Sequence, residues 1–404
     1  MKDTKQEWTG ITFDKGSILK TVAELKRQQE SKFDLIVPAK RILYCDDGRL
    51  AVDAGPKSFT VGEFTYFDWA QAEAASDEIK EAGGNGEIKV ADSEPVIELN
   101  RTAASQLRTR LGIPAKFEDA LLKANHNEIA GGLHRDLLAK DNRSFLLRCL
   151  DGRVRAVLSD RYRILDNHDL FFCAADKFGD VAAEIWKARV WDNGFELFAT
   201  NDIEGKVRTD RPFDAGAGWR AKWSGSEGDV HNAAVRVSNS ETGGGGLNVR
   251  LCILRNACAN FCVLSDGVSI IHAGSLSESD DDGLIRSTER RQKESEVIWL
   301  KVKDAIATAF DAEKFQAHID RLNDATQVVL ENPTEAVDNV VEAYSLSDDT
   351  RDAILANLVG SGDTSQYGLV QAVTGVAHGL DAAHRTEAAS ELETIGAKIL
   401  EVAS

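Results

Sequence analysis

No stretch of this chain is apolar for long enough to cross a bilayer. Its first residues, MKDTKQEWTGITFDKG, contain no apolar h-region, so the sequence predicts neither a membrane protein nor a secreted one. Cysteine is scarce: six in 404 residues do not make a disulfide framework. With no secretion signal, they predict a reducing, cytoplasmic setting. Catalytic signatures are missing too. There is no G-x-S-x-G, no H-E-x-x-H and no paired-carboxylate motif, and the eight histidines are scattered. Cys252, Cys258 and Cys262 with His272 lack a C-x-x-C knuckle, so they read as structural thiols and not as metal ligands. The glycine run in SNSETGGGGLNV is followed by a strand-like segment, whereas a phosphate loop needs a helix and a Lys-Ser/Thr pair after it. A flexible hairpin loop is expected there. These absences predict no cofactor and give no support to an enzyme.

Positive charge is in short supply as well. Lys and Arg number 48 against 66 Asp and Glu, a net charge of −18, and such a surface repels phosphate. The deficit is uneven. Residues 143–163 hold six arginines against Asp151 and Asp160, a local excess of four positive charges. Residues 291–404 hold 9 basic and 20 acidic residues. An anionic partner would therefore meet the middle of the chain.

Hydrophobic content of 43% and charged content of 28% fit a globular protein, and 404 residues predict two or three domains. Residues 1–95 read as a small α+β region, with a helix over SILKTVAELKRQQESKF and strands at FDLIVPAKRILYC and RLAVDAG. Residues 96–285 read as an α+β core. It has helices up to about 140, then strands alternating with Gly-rich turns, broken by one helix over DLFFCAADKFGDVAAEIW. Residues 286–404 read as almost wholly helical. The expected class is α+β, with a strand-rich antiparallel centre, flanking helices and a helical C-terminal region.

The arginine-rich stretch is RSFLLRCLDGRVRAVLSDRYRILDN. Asp151-Gly152 is a strong signal for a two-residue type I′ turn. A regular ladder from that turn pairs Leu150 with Arg153, Cys149 with Val154 and Arg148 with Arg155. Leu147, Cys149, Val154, Ala156 and Leu158 then share an apolar face, and Arg148, Arg153 and Arg155 share the other. Like charges directly opposite are unfavourable, so the arginines need an acceptor. It is either a carboxylate elsewhere in the chain or a phosphate backbone, which arginine grips bidentately. Arg161 and Arg163, flanking Tyr162, extend the patch. A second basic and aromatic stretch, KVRTDRPFDAGAGWRAKWSG, would place Trp219 and Trp223 on one face of a strand and Arg220 and Lys222 on the other. Interleaved rings and cations are what single-stranded nucleic-acid binders use.

Four stretches, ASQLRTRLGIP, FLLRCLDGRVRAVLSDRYRILDN, RVSNSETGGGGLNVRLCILRNACAN and TSQYGLVQAVTGVAH, together resemble a phage- and plasmid-borne family built on a domain of unknown function. The resemblance runs over roughly residues 20–390. The family tends toward Cys-x-Asn-Gly where this chain has Phe261 after Asn260. Genes of this kind sit beside replication and recombination genes of mobile elements. The resemblance thus implies a non-enzymatic DNA-binding accessory protein, with single-stranded or duplex DNA as partner and a role in strand binding or annealing. A homo-oligomer would align several arginine patches. The alternative expectation is a protein-interaction module, for example a counter-defence factor, working through its acidic C-terminal helices.

Overall fold

The Asp151-Gly152 dipeptide turns as its chemistry predicts: Asp151 has φ 51° and Gly152 φ 72°, the two positive values of a type I′ turn. The computed structural model describes residues 11–14, 18–45, 49–52, 57–62, 64–66, 69–81, 83–92, 97–191, 194–208, 229–256, 260–270, 288–382 and 386–401. Among them are fifteen strands, twelve α-helices and a short 3-10 turn at Ala39–Arg41, in an α+β arrangement.

Along the chain, β1 (Ile11–Asp14) and α1 (Ile18–Ser31) lead to β2 (Lys32–Pro38), β3 (Ile42–Tyr44), β4 (Arg49–Val52), β5 (Lys57–Val61) and β6 (Phe64–Tyr66). Then come α2 (Trp69–Glu81), β7 (Ile88–Asp92), β8 (Ile97–Leu99), α3 (Arg101–Arg110), α4 (Ala115–Lys123) and α5 (Asn127–Lys140). The hairpin is β9 (Ser144–Leu150) and β10 (Arg153–Ser159), followed by α6 (Asn167–Asp180). A meander follows: β11 (Glu184–Trp191), β12 (Gly194–Val207), β13 (Asp229–Asn239), β14 (Leu247–Arg255) and β15 (Asn260–Ile270). The helices α7 (Thr288–Ala309), α8 (Ala312–Gln327), α9 (Pro333–Tyr344), α10 (Asp348–Ser361), α11 (Gln366–Ala382) and α12 (Thr386–Glu401) complete it.

Nine strands form one mixed sheet in the order β3-β4-β8-β10-β9-β2-β6-β5-β7. The hairpin is its centre. β2 pairs antiparallel with β9 along its whole length, from Lys32 opposite Leu150 to Pro38 opposite Ser144, and β8 runs parallel to β10. Strands from residues 32–99 therefore enclose the hairpin, and the boundary expected at 95/96 cuts through a single sheet. Leu35, Val37, Phe145, Leu147, Cys149, Val154 and Val157 pack with Leu107 of α3 and Leu138 of α5. β8 is too short to cover all of β10. Beyond it the strand edge is closed by side chains: Arg110 Nε donates to the Val157 carbonyl and the Val157 N–H donates to Gln106 Oε1, each at 2.8 Å.

The second sheet is antiparallel throughout, in the order β1-β11-β12-β13-β14-β15. Val190, Leu197, Val235, Val249 and Leu251 share one continuous core with Phe171 of α6, Ile306 of α7, Phe315 of α8, Val373 of α11 and Ile395 of α12. The C-terminal helices thus belong to the same packing unit as the sheet, and the boundary expected at 285/286 is not a core boundary either. The helix expected to reach Trp186 stops at Asp180. Ala182 takes φ 52°, and EIWKARVW leaves as β11, recruited by pairing with both β1 and β12.

Candidate functional site

Arg148 and Arg155 are not opposite each other. The register slips between Val154 and Ala156, so Ala156 stands across from Arg148 and Arg155 is the extra residue of a β-bulge. The slip corrects the expected faces as well. Val154 packs with Leu147, Cys149 and Val157 on one side, whereas Ala156 and Leu158 join Leu146 on the other. Arg148 and Arg155 lie on this second side, and both are buried, at 0% and 4% exposure.

Their acceptors come from three distant parts of the chain. Arg148 Nε donates to Asp34 Oδ1 at 3.1 Å, one terminal nitrogen donates to Asp166 Oδ1 at 2.7 Å, and the other donates to the Glu241 carbonyl at 3.2 Å. Arg155 pairs with the Glu241 carboxylate. Lys32 pairs with the second oxygen of Asp166. Glu241 Oε1 also accepts the backbone N–H of Asn167 at 2.5 Å, at the start of α6, where a helix favours negative charge. The chain therefore supplies its own anion to a site of two guanidiniums and a helix N-terminus. Burial pushes the Asp166 carboxyl up, but Arg148 and Lys32 outweigh it and hold it well below the usual range. Burial prevails at Asp34, whose carboxyl is raised despite Arg148. Burial opposes the charge of Arg148, and the surrounding carboxylates more than restore it.

The loop that carries Glu241 contains the glycine run. It joins two strands, as the sequence implies, but Ser240, Glu241 and Thr242 are buried. Gln106 Nε2 donates to the Thr242 carbonyl at 2.6 Å, and the Tyr162 hydroxyl donates to the Ser240 carbonyl at 3.0 Å. Gly243 has φ 76°, and a Cβ there would meet Leu158 Cδ2 at 2.7 Å, so glycine is needed for conformation and for space.

These contacts revise the expected nucleic-acid residues. Arg148 and Arg155 are withdrawn from the surface by ion pairing. Tyr162 is half-buried against Leu146 and Leu158 and tethered through its hydroxyl, so its ring is not a free stacking platform. Burial raises its phenol above the usual range. Arg153 stays outside, 56% exposed and 3.5 Å from Glu98. Arg161 is exposed and Arg163 half-buried. Trp219, Arg220, Lys222 and Trp223 lie outside the described residues, as do Cys258 and His272. Cys252 and Cys262 are buried on neighbouring strands, and among the described residues no three His, Cys, Asp or Glu side chains gather as a metal site. No helix among them is long and apolar enough to cross a membrane.

A second buried ion network was not foreseen. Glu393 of α12 receives Lys187 at 3.0 Å and Arg189 at 2.6 and 2.9 Å. Arg189 also donates to Glu196 at 2.9 Å. Lys187 lies over the rings of Phe198 and Phe261, 4.7 Å from each centroid. A third cluster ties β13 and β14 to α11. The Tyr367 hydroxyl donates to Asp229 Oδ2 at 2.7 Å, Arg255 Nε donates to the same oxygen at 2.5 Å, and His231 Nε2 lies 3.3 Å from the hydroxyl. Burial lowers the His231 pKa to about 4, so the ring is neutral there at pH 7. The sequence signal for both was charge inside alternating strands, KARVW for the second network and DVHN for the third cluster, which a two-faced sheet can hide.

The outer surface is the counterpart of this interior. Over α8–α10, residues 312–361 carry Glu313, Asp320, Asp324, Glu331, Glu335, Asp338, Glu342, Asp348, Asp349 and Asp352, and all ten are exposed. Only Lys314, Arg321 and Arg351 oppose them, and Arg351 is already tied to Asp338 and Asp352. Comparison with known proteins returned no matching family model, no matching curated protein and no matching solved structure.

Proposed function

We propose that the chain is a protein-interaction module whose acidic surface on α8–α10 docks onto a basic face of a partner protein. The observation that carries this reading is the division of charge. Arg148 and Arg155 are consumed internally, while ten carboxylates, nine on three successive helices and Glu331 between the first two, point to water. A surface of one sign steers an oppositely charged partner and speeds encounter. Val328, Val329 and Val359, 43%, 65% and 67% exposed, give the same region apolar contact area. The test is fluorescence anisotropy of a labelled Lys/Arg-rich peptide titrated with the protein. Binding should weaken as salt rises. Changing Asp324, Glu331, Glu342 and Asp349 together to Lys should lower affinity at least tenfold, with an unchanged unfolding curve. Unaltered affinity in that variant defeats the proposal.

A second reading, contact with single-stranded DNA, is favoured by the outward placement of Arg153 and Arg161. The same assay with a labelled oligonucleotide addresses it. If Arg153, Arg161 and Arg163 each touch phosphate, changing all three to Gln should flatten the salt slope by roughly 2 units, at ~0.7 per contact. An unchanged slope, or no binding at low salt, removes it.

A further inference from the structure

We infer that the acidic surface on α8–α10 docks onto α4 of a second copy of this chain; the inference rests on the acidic-surface reading and names its partner. α4 is an amphipathic helix mounted with its apolar side outward. Phe117, Ala120, Leu121 and the cap residue Ala124 recur at helical spacing and so share a face. A surface helix ordinarily buries such a stripe. Here the one residue of α4 that is buried is Glu118, at 7% exposure. Arg108 of α3 donates to its carboxylate at 3.2 Å, and His134 Nε2 of α5 lies 3.3 Å from the other oxygen. Arg108 also reaches Asp119 at 3.4 Å. The helix is thus held down by a carboxylate, and its apolar stripe is left at the surface. Phe117 is 50% exposed, Ala120 and Ala124 are exposed, and Leu121 is half-buried. Leu122, on the other flank, is 44% exposed.

The edge of that stripe is positive. Lys116 and Lys123, seven residues apart, rise from the same side of α4. Both are exposed, and among the described residues neither makes a hydrogen bond or an ion pair. Residues 101–143, which are α3–α5 and their connections, carry 8 basic and 5 acidic residues, a net of +3. Residues 312–361 carry 3 basic and 10 acidic residues, a net of −7. The apolar contacts match as well: Phe117 and Leu122 on one side face Val328, Val329 and Val359 on the other. Each patch is an apolar centre edged by charge of one sign, and the signs are opposite. The chain therefore carries on itself the basic, partly apolar face that its acidic helices call for. Because the two patches are different surfaces, the contact is heterologous. Each copy uses its acidic helices on one neighbour and α4 on the next, which gives a ring where the rotation closes and a filament where it does not.

The experiment is sedimentation velocity of the full chain over a range of protein concentrations. The sedimentation coefficient should rise with concentration, and the association should weaken at least tenfold when salt is raised from about 0.05 M to about 0.5 M. Phe117→Ser, at an exposed position, should also weaken it at least tenfold with an unchanged unfolding curve. A charge exchange then tests the pairing. One variant carries Lys116→Glu and Lys123→Glu; the other carries Asp324, Glu331, Glu342 and Asp349 changed to Lys. Each alone should stay monomeric, and an equimolar mixture should associate, because every reversed patch then meets an opposite charge on the other variant. A native chain that stays monomeric yet still binds the Lys/Arg-rich peptide overturns the inference and leaves the acidic-surface reading standing; loss of both removes both. A mixture that stays monomeric, or an assembly indifferent to Phe117→Ser, overturns the pairing with α4.

Discussion

Arg148→Met should leave the protein largely unfolded under conditions where the native chain is stable. The side chain is fully buried and spans Asp34, Asp166 and the Glu241 carbonyl. Removing it leaves three buried carboxylates, Asp34, Asp166 and Glu241, against Lys32 and Arg155 among the described residues. Breaking a buried ion pair by deleting one partner costs about 3–5 kcal/mol, because the remaining charge has neither water nor counter-charge. That is a large share of the 5–15 kcal/mol by which domains are stable. Urea unfolding followed by circular dichroism measures it. Arg153→Gln is the control: its side chain is 56% exposed, so its midpoint should shift by no more than about 0.5 kcal/mol. Equal midpoints for Arg148→Met and Arg153→Gln would show that the interior network contributes nothing. Changing Arg148, Arg153 and Arg155 together is accordingly a folding experiment and cannot serve as a test of DNA contact.

Glu393→Gln should have the second-largest effect, and it should act on α12. The substitution keeps shape and removes charge, so Lys187 and Arg189 lose the buried carboxylate they share. The expected loss is again about 3–5 kcal/mol, and α12 should become the first segment to exchange its amide hydrogens. The same carboxylate gives a pH signature. Burial alone would raise Glu393, but Arg189 and Lys187 overcome it and hold the pKa at about 2, below the ordinary 4.5. A depressed carboxylate stabilises the fold fully above its unfolded pKa and loses that contribution as pH falls through the folded one. The native unfolding midpoint should therefore drop between about pH 4.5 and pH 2, and Glu393→Gln should show a smaller drop over that window. Parallel pH profiles for the two proteins would contradict this account.

The sequence made some features legible and hid others, for reasons that lie in distance along the chain. Helical periodicity was enough for α7–α12, because each helix states its apolar stripe locally, as in Phe315, Ile319 and Leu322 of α8. Asp151-Gly152 was enough for the hairpin. The bulge at Arg155 was not legible, since an arginine is displaced from the ladder toward a carboxylate 86 residues away. The apolar phase of RVRAVL reads equally well in either register. β2 beside β9 was hidden in the same way: Asp34 and Arg148 are 114 residues apart. The acidic run over residues 312–361 was visible as composition, but its wholly outward placement was not. The arginines stood out because positive charge is rare in this chain, and rarity proved a guide to burial as readily as to a ligand.

Glu241 has a consequence for how this chain can be divided. One carboxylate answers Arg155 of the hairpin and the first N–H of α6, while its backbone carbonyl answers Arg148, yet it is carried on the loop between β13 and β14. A gene segment ending before that loop would encode a hairpin whose Arg148 keeps Asp34 and Asp166 but whose Arg155 has lost its carboxylate. A segment beginning after α6 would carry a stray acid on a glycine-rich tether. Neither half is electrically complete, so the two sheets are expected to unfold in one transition, although each has a core of its own.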